Sequence, residues 1–365
     1  MNSLEIKIDN QFSKLNVEIQ QEGFFENRVI LNKPENVEYV LFSLHKNNKF
    51  NERLISPEVF LKEHNGVIIA ISKDYLKVYV DKLRTVPLYI YKKNNEAMIF
   101  SDFSSFYESS FDRDIDIVGF WENLVFENPL GDRTLFKYVK QFTFASAAVF
   151  DKNLDYRFEK YWVFSLPKVN VKSESEAVEG LNDKLSQVFS SFNPSSRYLT
   201  AISGGLDSRL ILALMSRFIP CDNIALMTFG YDERIREYQY AKEVTETFGY
   251  EKPVFHKLTP DSYTRCLKSL TRKSGGTIGI QHCHTYDFLH SNCIESDYMI
   301  SAVYTDALFG YAVNLKTKFD SNGALEDTSQ YNEVNKLCEK YCVGNEIVKK
   351  IIEDLRKIYD LWFRN

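Results

Sequence analysis

A change of hydrophobic period near Pro167 constrains the chain more than any other feature. Beyond it, strand-like runs at 198–202, 223–229 and 253–258 alternate with helix-like runs at 209–218, 233–248 and 261–272. Short connections join these runs, and such alternation predicts a doubly wound, mostly parallel α/β sheet. Ser173 followed by Glu176 has the form of a capping box, and Ala177, Val178, Leu181, Leu185, Val188 and Phe189 follow at helical spacing. Upstream, the runs at 37–44, 66–72, 76–81, 88–92 and 97–101 are rich in Val, Ile, Tyr and Phe and are separated by Asn, Lys and Asp turns. They predict stacked antiparallel sheets. A helix is expected over 115–126, further strands over 144–150 and around 161–164, and an amphipathic helix over 348–363. That last helix either packs back on the sheet or leads into further chain. The period change divides the chain into domains at 1–166 and 167–365.

With 365 residues, the chain can build two ordinary cores. Its 44% hydrophobic and 26% charged content is that of a globular protein, and a net charge of −5 requires no basic face, so nucleic acid is not an expected partner. No apolar run approaches the roughly eighteen residues of a membrane span, and the start lacks a signal-peptide core. A cytoplasmic location without membrane attachment is therefore expected. All six cysteines lie in the second half, where reduced thiols are expected. No Cys-x-x-Cys pair occurs to support sulfur transfer. The run Gln281-His282-Cys283-His284, with His290 and Cys293, fits no standard zinc spacing.

Ser203-Gly204-Gly205-Leu206-Asp207-Ser208 lies at the first strand-to-helix junction of the second domain. A strand that turns through glycines into a helix aims unpaired N–H groups and the positive end of the helix dipole at one spot, which suits phosphate. Gly204 and Gly205 let oxyanions approach the backbone, Ser203 and Ser208 offer hydroxyl donors, and Asp207 can hold a nucleotide's Mg²⁺. An ordinary turn with a Ser or Asp helix cap is the alternative. The pattern is not a Walker loop.

A later strand over 298–303 leads to Asp306, which can face Asp207 across a polyphosphate as a second magnesium ligand or simply cap a helix. Thr228, Phe229 and Gly230 end the second strand of the alternating region, where an adenine ring can approach Gly230. Phe229 also suits plain core. Asp232, Glu233 and Glu237 suit either a polar substrate or a solvated helix start. Arg209 can neutralise phosphate or a substrate carboxylate, or pair at the surface.

The Ser203–Ser208 segment resembles the pyrophosphate-binding loop of ATP-pyrophosphatases, which split ATP between its α and β phosphates. Collinear segments extend the likeness to class B asparagine synthetases and their relatives, the β-lactam synthetases and lasso-peptide cyclases. Val80-Asp81-Lys82-Leu83 leading to Pro87-Leu88-Tyr89 is similar to their Arg-Asp-x-x-Gly-x-x-Pro-Leu-Tyr. Phe100-Ser101-Asp102, Thr134-Leu135-Phe136 and Tyr161-Trp162 resemble further landmarks, and Thr305-Asp306-Ala307-Leu308-Phe309-Gly310-Tyr311 resembles Ala-Asp-Glu-Leu-Phe-Gly-Gly-Tyr. The resemblance implies an N-terminal Ntn-type antiparallel sandwich followed by an adenine-nucleotide α-hydrolase-like domain. It implies that Ser203 to Ser208 with Thr228, Phe229 and Gly230 hold ATP, and that Asp207 and Asp306 hold Mg²⁺. The implied substrate is an amino acid or peptide carboxylate, which is adenylated and then amidated, in a chain that can pair as a homodimer. Asn2 stands where the glutaminase cysteine belongs, so glutaminase activity is expected to be absent and nitrogen to come as ammonia, as an amine, or from an ammonia-supplying partner. Ala302, Tyr304 and Ala307 depart from the family's residues, and the chain ends before the helical region that completes the site in relatives. A non-catalytic nucleotide-binding or protein-interaction homologue is the alternative.

Overall fold

The computed structural model describes residues 3–11, 14–22, 24–32, 36–43, 56–163, 173–292, 294–303 and 329–363. Two compact units emerge: residues 1–165 with 269–279 and 320–365, and residues 166–268 with 280–319.

The first unit holds two antiparallel sheets. One runs β2 (Lys14–Glu22), β1 (Ser3–Gln11), β8 (Glu96–Phe100), β7 (Tyr89–Lys93), β9 (Val139–Gln141). The other runs β11 (Tyr156–Lys160), β10 (Ser146–Phe150), β6 (Leu76–Val80), β5 (Val67–Ile71), β4 (Asn36–Ser43), β3 (Phe25–Asn32). Strand alternation sends Leu4, Ile6 and Ile8 of β1 inward to meet Val67, Ile69, Val78 and Val80 of the opposite sheet in one core. The outer face of the first sheet is aromatic: Tyr91, Met98 and Phe100 pack under Phe103 and Phe106 of helix α2 (Phe103–Glu108). On the outer face of the second, Ile68, Ala70 and Tyr79 pack under Leu61 of α1 (Pro57–Glu63).

The segments around Asp81, Ser101 and Thr134 fall at turns. Asp81 is fully buried and accepts from the backbone N–H groups of Gly66, Leu83 and Thr85 and from the Thr85 hydroxyl. Gly66 must be glycine, because its φ is +144° and a Cβ would stand 2.5 Å from the Phe42 carbonyl oxygen. Ser101 bonds the Leu4 N–H, Asp102 caps α2, and the Thr134 hydroxyl donates to the Val139 carbonyl. The strand expected around 161–164 lies earlier, at β11. The turn between Asp151 and Asp155 fixes its register on β10, after which Tyr161 leaves the sheet and its hydroxyl donates to the Val80 carbonyl at 2.6 Å.

Helix α3 (Ile117–Phe126) is capped by Asp116 and packs with the C-terminal helices α9 (Ser329–Lys340) and α10 (Asn345–Phe363). Among the described residues the C-terminal stripe meets α3, with Ile351, Ile352 and Leu355 against Val118, Trp121 and Val125. At this contact Arg133 pairs with Asp116 at 2.8 Å, Glu122 at 3.2 Å and Asp354 at 2.6 Å. Burial pushes the Glu122 carboxyl up to about 7, against the opposing pull of the Leu130 N–H and Arg133.

The second unit is a parallel sheet in the order β14 (Val254–Lys257), β13 (Ile224–Gly230), β12 (Tyr198–Ala201), β15 (Tyr298–Ile300). Helices α4 (Glu174–Ser190), α5 (Leu206–Met215) and α6 (Arg236–Thr247) cover one face through Phe189, Leu212, Met215 and Ala241. Phe288 of α8 (His284–Ser291) covers Leu199 and Met227 on the other, and α7 (Pro260–Ser274) follows β14. Ser173 caps α4 by accepting from Glu176 N–H at 3.2 Å. Among the described residues no helix is long and apolar enough to cross a membrane.

Candidate functional site

From β12 the chain passes to β13 and β14 on one side and later to β15 on the other. Strand order thus reverses between β12 and β15, and α/β sheets bind ligands beyond the carboxyl ends of strands at such a reversal. A cavity of about 310 Å³ opens there, lined by Ser203, Gly205, Asp207 and Ser208 on one part of its wall and by Met227, Phe229, His284 and Met299 on another. That volume is at the small end of ligand sites.

The helix after β12 begins at Leu206, three residues earlier than its apolar pattern suggests. Leu206, Asp207 and Ser208 therefore form its first turn. Gly205 is the N-cap, at φ −73° and ψ 155°, and supplies no side-chain cap. The N–H groups of that turn have no carbonyl one turn back to bond, and the helix dipole adds positive potential. The two glycines face different neighbours. A Cβ at Gly204 would sit 2.7 Å from Tyr240 Cβ on α6, so this glycine permits close packing. A Cβ at Gly205 would meet only the Ser203 hydroxyl, at 3.2 Å.

Both serines are engaged within the loop. Ser208 is buried, its hydroxyl lies 3.0 Å from that of Ser203, and it accepts from the Ser203 N–H at 3.1 Å. Ser203 Oγ also accepts from the Gly205 N–H. Together they brace the bend. Arg209 turns back to donate from Nε to the Gly205 carbonyl.

The Thr228 hydroxyl donates to the Ile202 carbonyl at 2.5 Å and ties β13 to β12. Phe229 lines the cavity, whereas Gly204, Leu206 and Gly230 are not among its lining residues. Gly230 leaves room for Ile235, whose Cδ1 would lie 2.3 Å from an added Cβ. Asp306 lies outside the described residues, as do Tyr304, Ala307, Asn2 and Cys293. Glu237 lines the cavity with Asp207. Among the described residues no three His, Cys, Asp or Glu side chains gather as a metal site. Magnesium carried by a polyphosphate needs only one or two carboxylates, a demand that Asp207 and Glu237 can meet.

His284, Thr285, Met299 and Ser301 also line the cavity, although no motif in the sequence marks them. A signal existed for the last two, since they follow the expected strand to its carboxyl end. His284 sits in a His/Cys run that fits no standard zinc spacing, and its ring stacks on Phe229 with centroids 3.9 Å apart. Burial holds this imidazole below its ordinary range, while the Gln281 carbonyl opposes the shift.

Residues 194–348 match the asparagine synthase family model, which supports the asparagine synthetase family for this stretch. Among solved structures, the chain is similar to a glutamine-dependent NAD+ synthetase from Acinetobacter baumannii in complex with ADP, at 17% identity and TM-score 0.26 over 60% of this chain. It spans 42% of the length of that synthetase. It is also similar to a glutamine PRPP amidotransferase from B. subtilis complexed with ADP and GMP, at 7% identity and TM-score 0.26, covering 70% of this chain and 84% of the other. No curated protein matches the chain.

Proposed function

We propose that this chain is an ATP-dependent amide-forming ligase that resembles asparagine synthetase and acts without its own glutaminase. The observation that carries the reading is the α5 N terminus, which has no side-chain cap and opens on a cavity at the strand-order reversal. The family match over 194–348 supports it. On this reading residues 1–166 are a degenerate glutaminase-like domain and residues 167–365 an ATP-binding domain whose C-terminal helices α9 and α10 pack on α3 of the first.

The first-turn N–H groups of α5 take the β and γ phosphates, and the Ser203–Ser208 brace, which engages the Ser203 and Gly205 N–H groups, keeps the bend rigid. Asp207 and Asp306, with Glu237, which lines the same cavity as Asp207, would hold Mg²⁺, which when bound would neutralise the polyphosphate. The substrate carboxylate attacks the α-phosphorus, the bond to the bridging oxygen breaks, and pyrophosphate leaves. Ammonia or an amine then attacks the acyl carbon, a proton is lost, and AMP departs. The protein's main contribution is preorganised electrostatic stabilisation of the leaving pyrophosphate.

The test is Mg²⁺-dependent ATP–pyrophosphate exchange with a panel of amino acids and peptides. We expect exchange with at least one carboxylate and a loss of about a hundredfold or more in Asp207→Asn. ATP binding without exchange on any substrate would favour the non-catalytic homologue, which the departures at Ala302, Tyr304 and Ala307 otherwise suggest.

A further inference from the structure

Helix α8 reaches the cavity with its first residue, and its position is built with care. Asp287, one turn further on, is 2% exposed and accepts from His256 Nε2 on β14 at 2.9 Å and from Arg265 on α7 at 3.1 Å. Burial alone would raise this carboxyl, but hydrogen bonds from Ser262, His256 and Arg265 outweigh it and hold it below the usual range. Asn292, at the other end of α8, lies 3.2 Å from His256 Nδ1 and donates to the Phe288 carbonyl. With Asn292 donating to Nδ1, His256 donates from Nε2 to Asp287. A buried carboxylate is costly unless donors pair it, and the donors that pair this one also fix its place on the short helix. That pairing fixes the start of α8, where His284 and Thr285 line the cavity.

His284 lies nearly parallel to Phe229, with an interplanar angle of 23°. Both rings are only partly buried, and both line the cavity that Ser203, Gly205, Asp207 and Ser208 of the phosphate-type loop also line. A ligand suited to this cavity carries an anionic group for the loop and a flat apolar group for the rings. We propose that His284 is the residue that stacks on the heteroaromatic base of the bound nucleoside triphosphate, with Phe229 behind it and the His256–Asp287–Arg265 network as its positioning frame. The inference rests on the ATP reading of this cavity and names the residue that reads the base end.

The full chain is titrated by calorimetry with ATP and with inorganic tripolyphosphate, which keeps the phosphates and lacks the base. Removing one base–aromatic stack should weaken ATP about tenfold in His284→Ala and leave tripolyphosphate within about twofold. His284→Phe, which keeps a stacking face, should restore most of the ATP affinity. Unchanged ATP binding in His284→Ala, or an equal loss of both ligands in it, would overturn the assignment while leaving the nucleotide reading in place. Failure of the unaltered chain to bind either ligand would overturn both.

Discussion

Asp81 and Asp207 each stand at a turn that leaves a strand, and the two turns use the same residue type in opposite ways. Around Asp81 the carboxylate collects the donors: Gly66, Leu83 and Thr85 all point at it, and it is shut off from water. Around Asp207 the donors are left over, because Gly205 offers no side chain to the first turn of α5 and the carboxylate lines an open cavity. A turn that satisfies its own polar groups gives stability, and one that leaves them pointing outward can bind. Both turns place an aspartate where the chain leaves a strand, yet of the two only the second has unspent hydrogen-bonding capacity.

The sharpest way to break this comparison is to remove each carboxylate in turn. Asp81→Ala leaves buried N–H groups and a hydroxyl without a partner, and should cost about 4 kcal/mol in urea unfolding. Asp207→Ala should change stability by less than about 0.5 kcal/mol. Equal costs would show that the Asp207 turn is also held by its carboxylate.

A third acid refines the contrast. Glu122 is fully buried like Asp81, but among the described residues it accepts only the Leu130 N–H and shares Arg133 with two other carboxylates. Asp116 also has the α3 cap and Asp354 has Lys357, so Glu122 is the group that keeps a proton. Its folded pKa of about 7 lies above the ordinary 4.5. The stability it contributes is complete below pH 4.5 and is lost as pH rises through about 7. Discounting the roughly 1.4 kcal/mol per unit for solvent screening, the loss should be about 2 kcal/mol. Urea midpoints measured from pH 4 to 8 should show this decline, and Glu122→Gln should flatten it. A parallel decline in the variant would assign the effect to other groups.

What the sequence made legible was local. Alternation announced β5 to β8, the Ser173 and Glu176 pair announced the start of α4, and the order of small residues at 203–208 announced a bend with exposed amides. What it hid was tertiary. His284 acquires its place from Phe229 on another strand, and Asp287 from His256 and Arg265, so the run around Cys283 carried residue types without their partners. The docking of α10 on α3 did leave a trace. Helix α3 is apolar on nearly every side, with Val118, Trp121 and Val125 on one face and Ile117, Phe120 and Leu124 exposed on another. A helix apolar all round requires cover, which the pattern states without naming the partner. The extra turn at the start of α5 was hidden for another reason: Asp207 and Ser208 break an apolar period without breaking the helix.

The smallest expected effect separates the two glycines inside the binding turn. Gly204 faces Tyr240 and Gly205 faces the Ser203 hydroxyl at the cavity, so one side of the loop is packed like the Asp81 turn and the other is open. Gly204→Ala drives a Cβ to within 2.7 Å of Tyr240 Cβ, which must move with its helix, and should cost about 1.5 kcal/mol. Gly205→Ala keeps an ordinary φ and should cost about 0.5 kcal/mol as a poorer N-cap, while its methyl group crowds the phosphate side and weakens tripolyphosphate binding. Stability from urea midpoints and affinity from calorimetry should therefore rank the two variants in opposite orders. If both measurements rank them alike, the loop has no separate packed and binding faces, and the division between closed and open turns does not extend inside it.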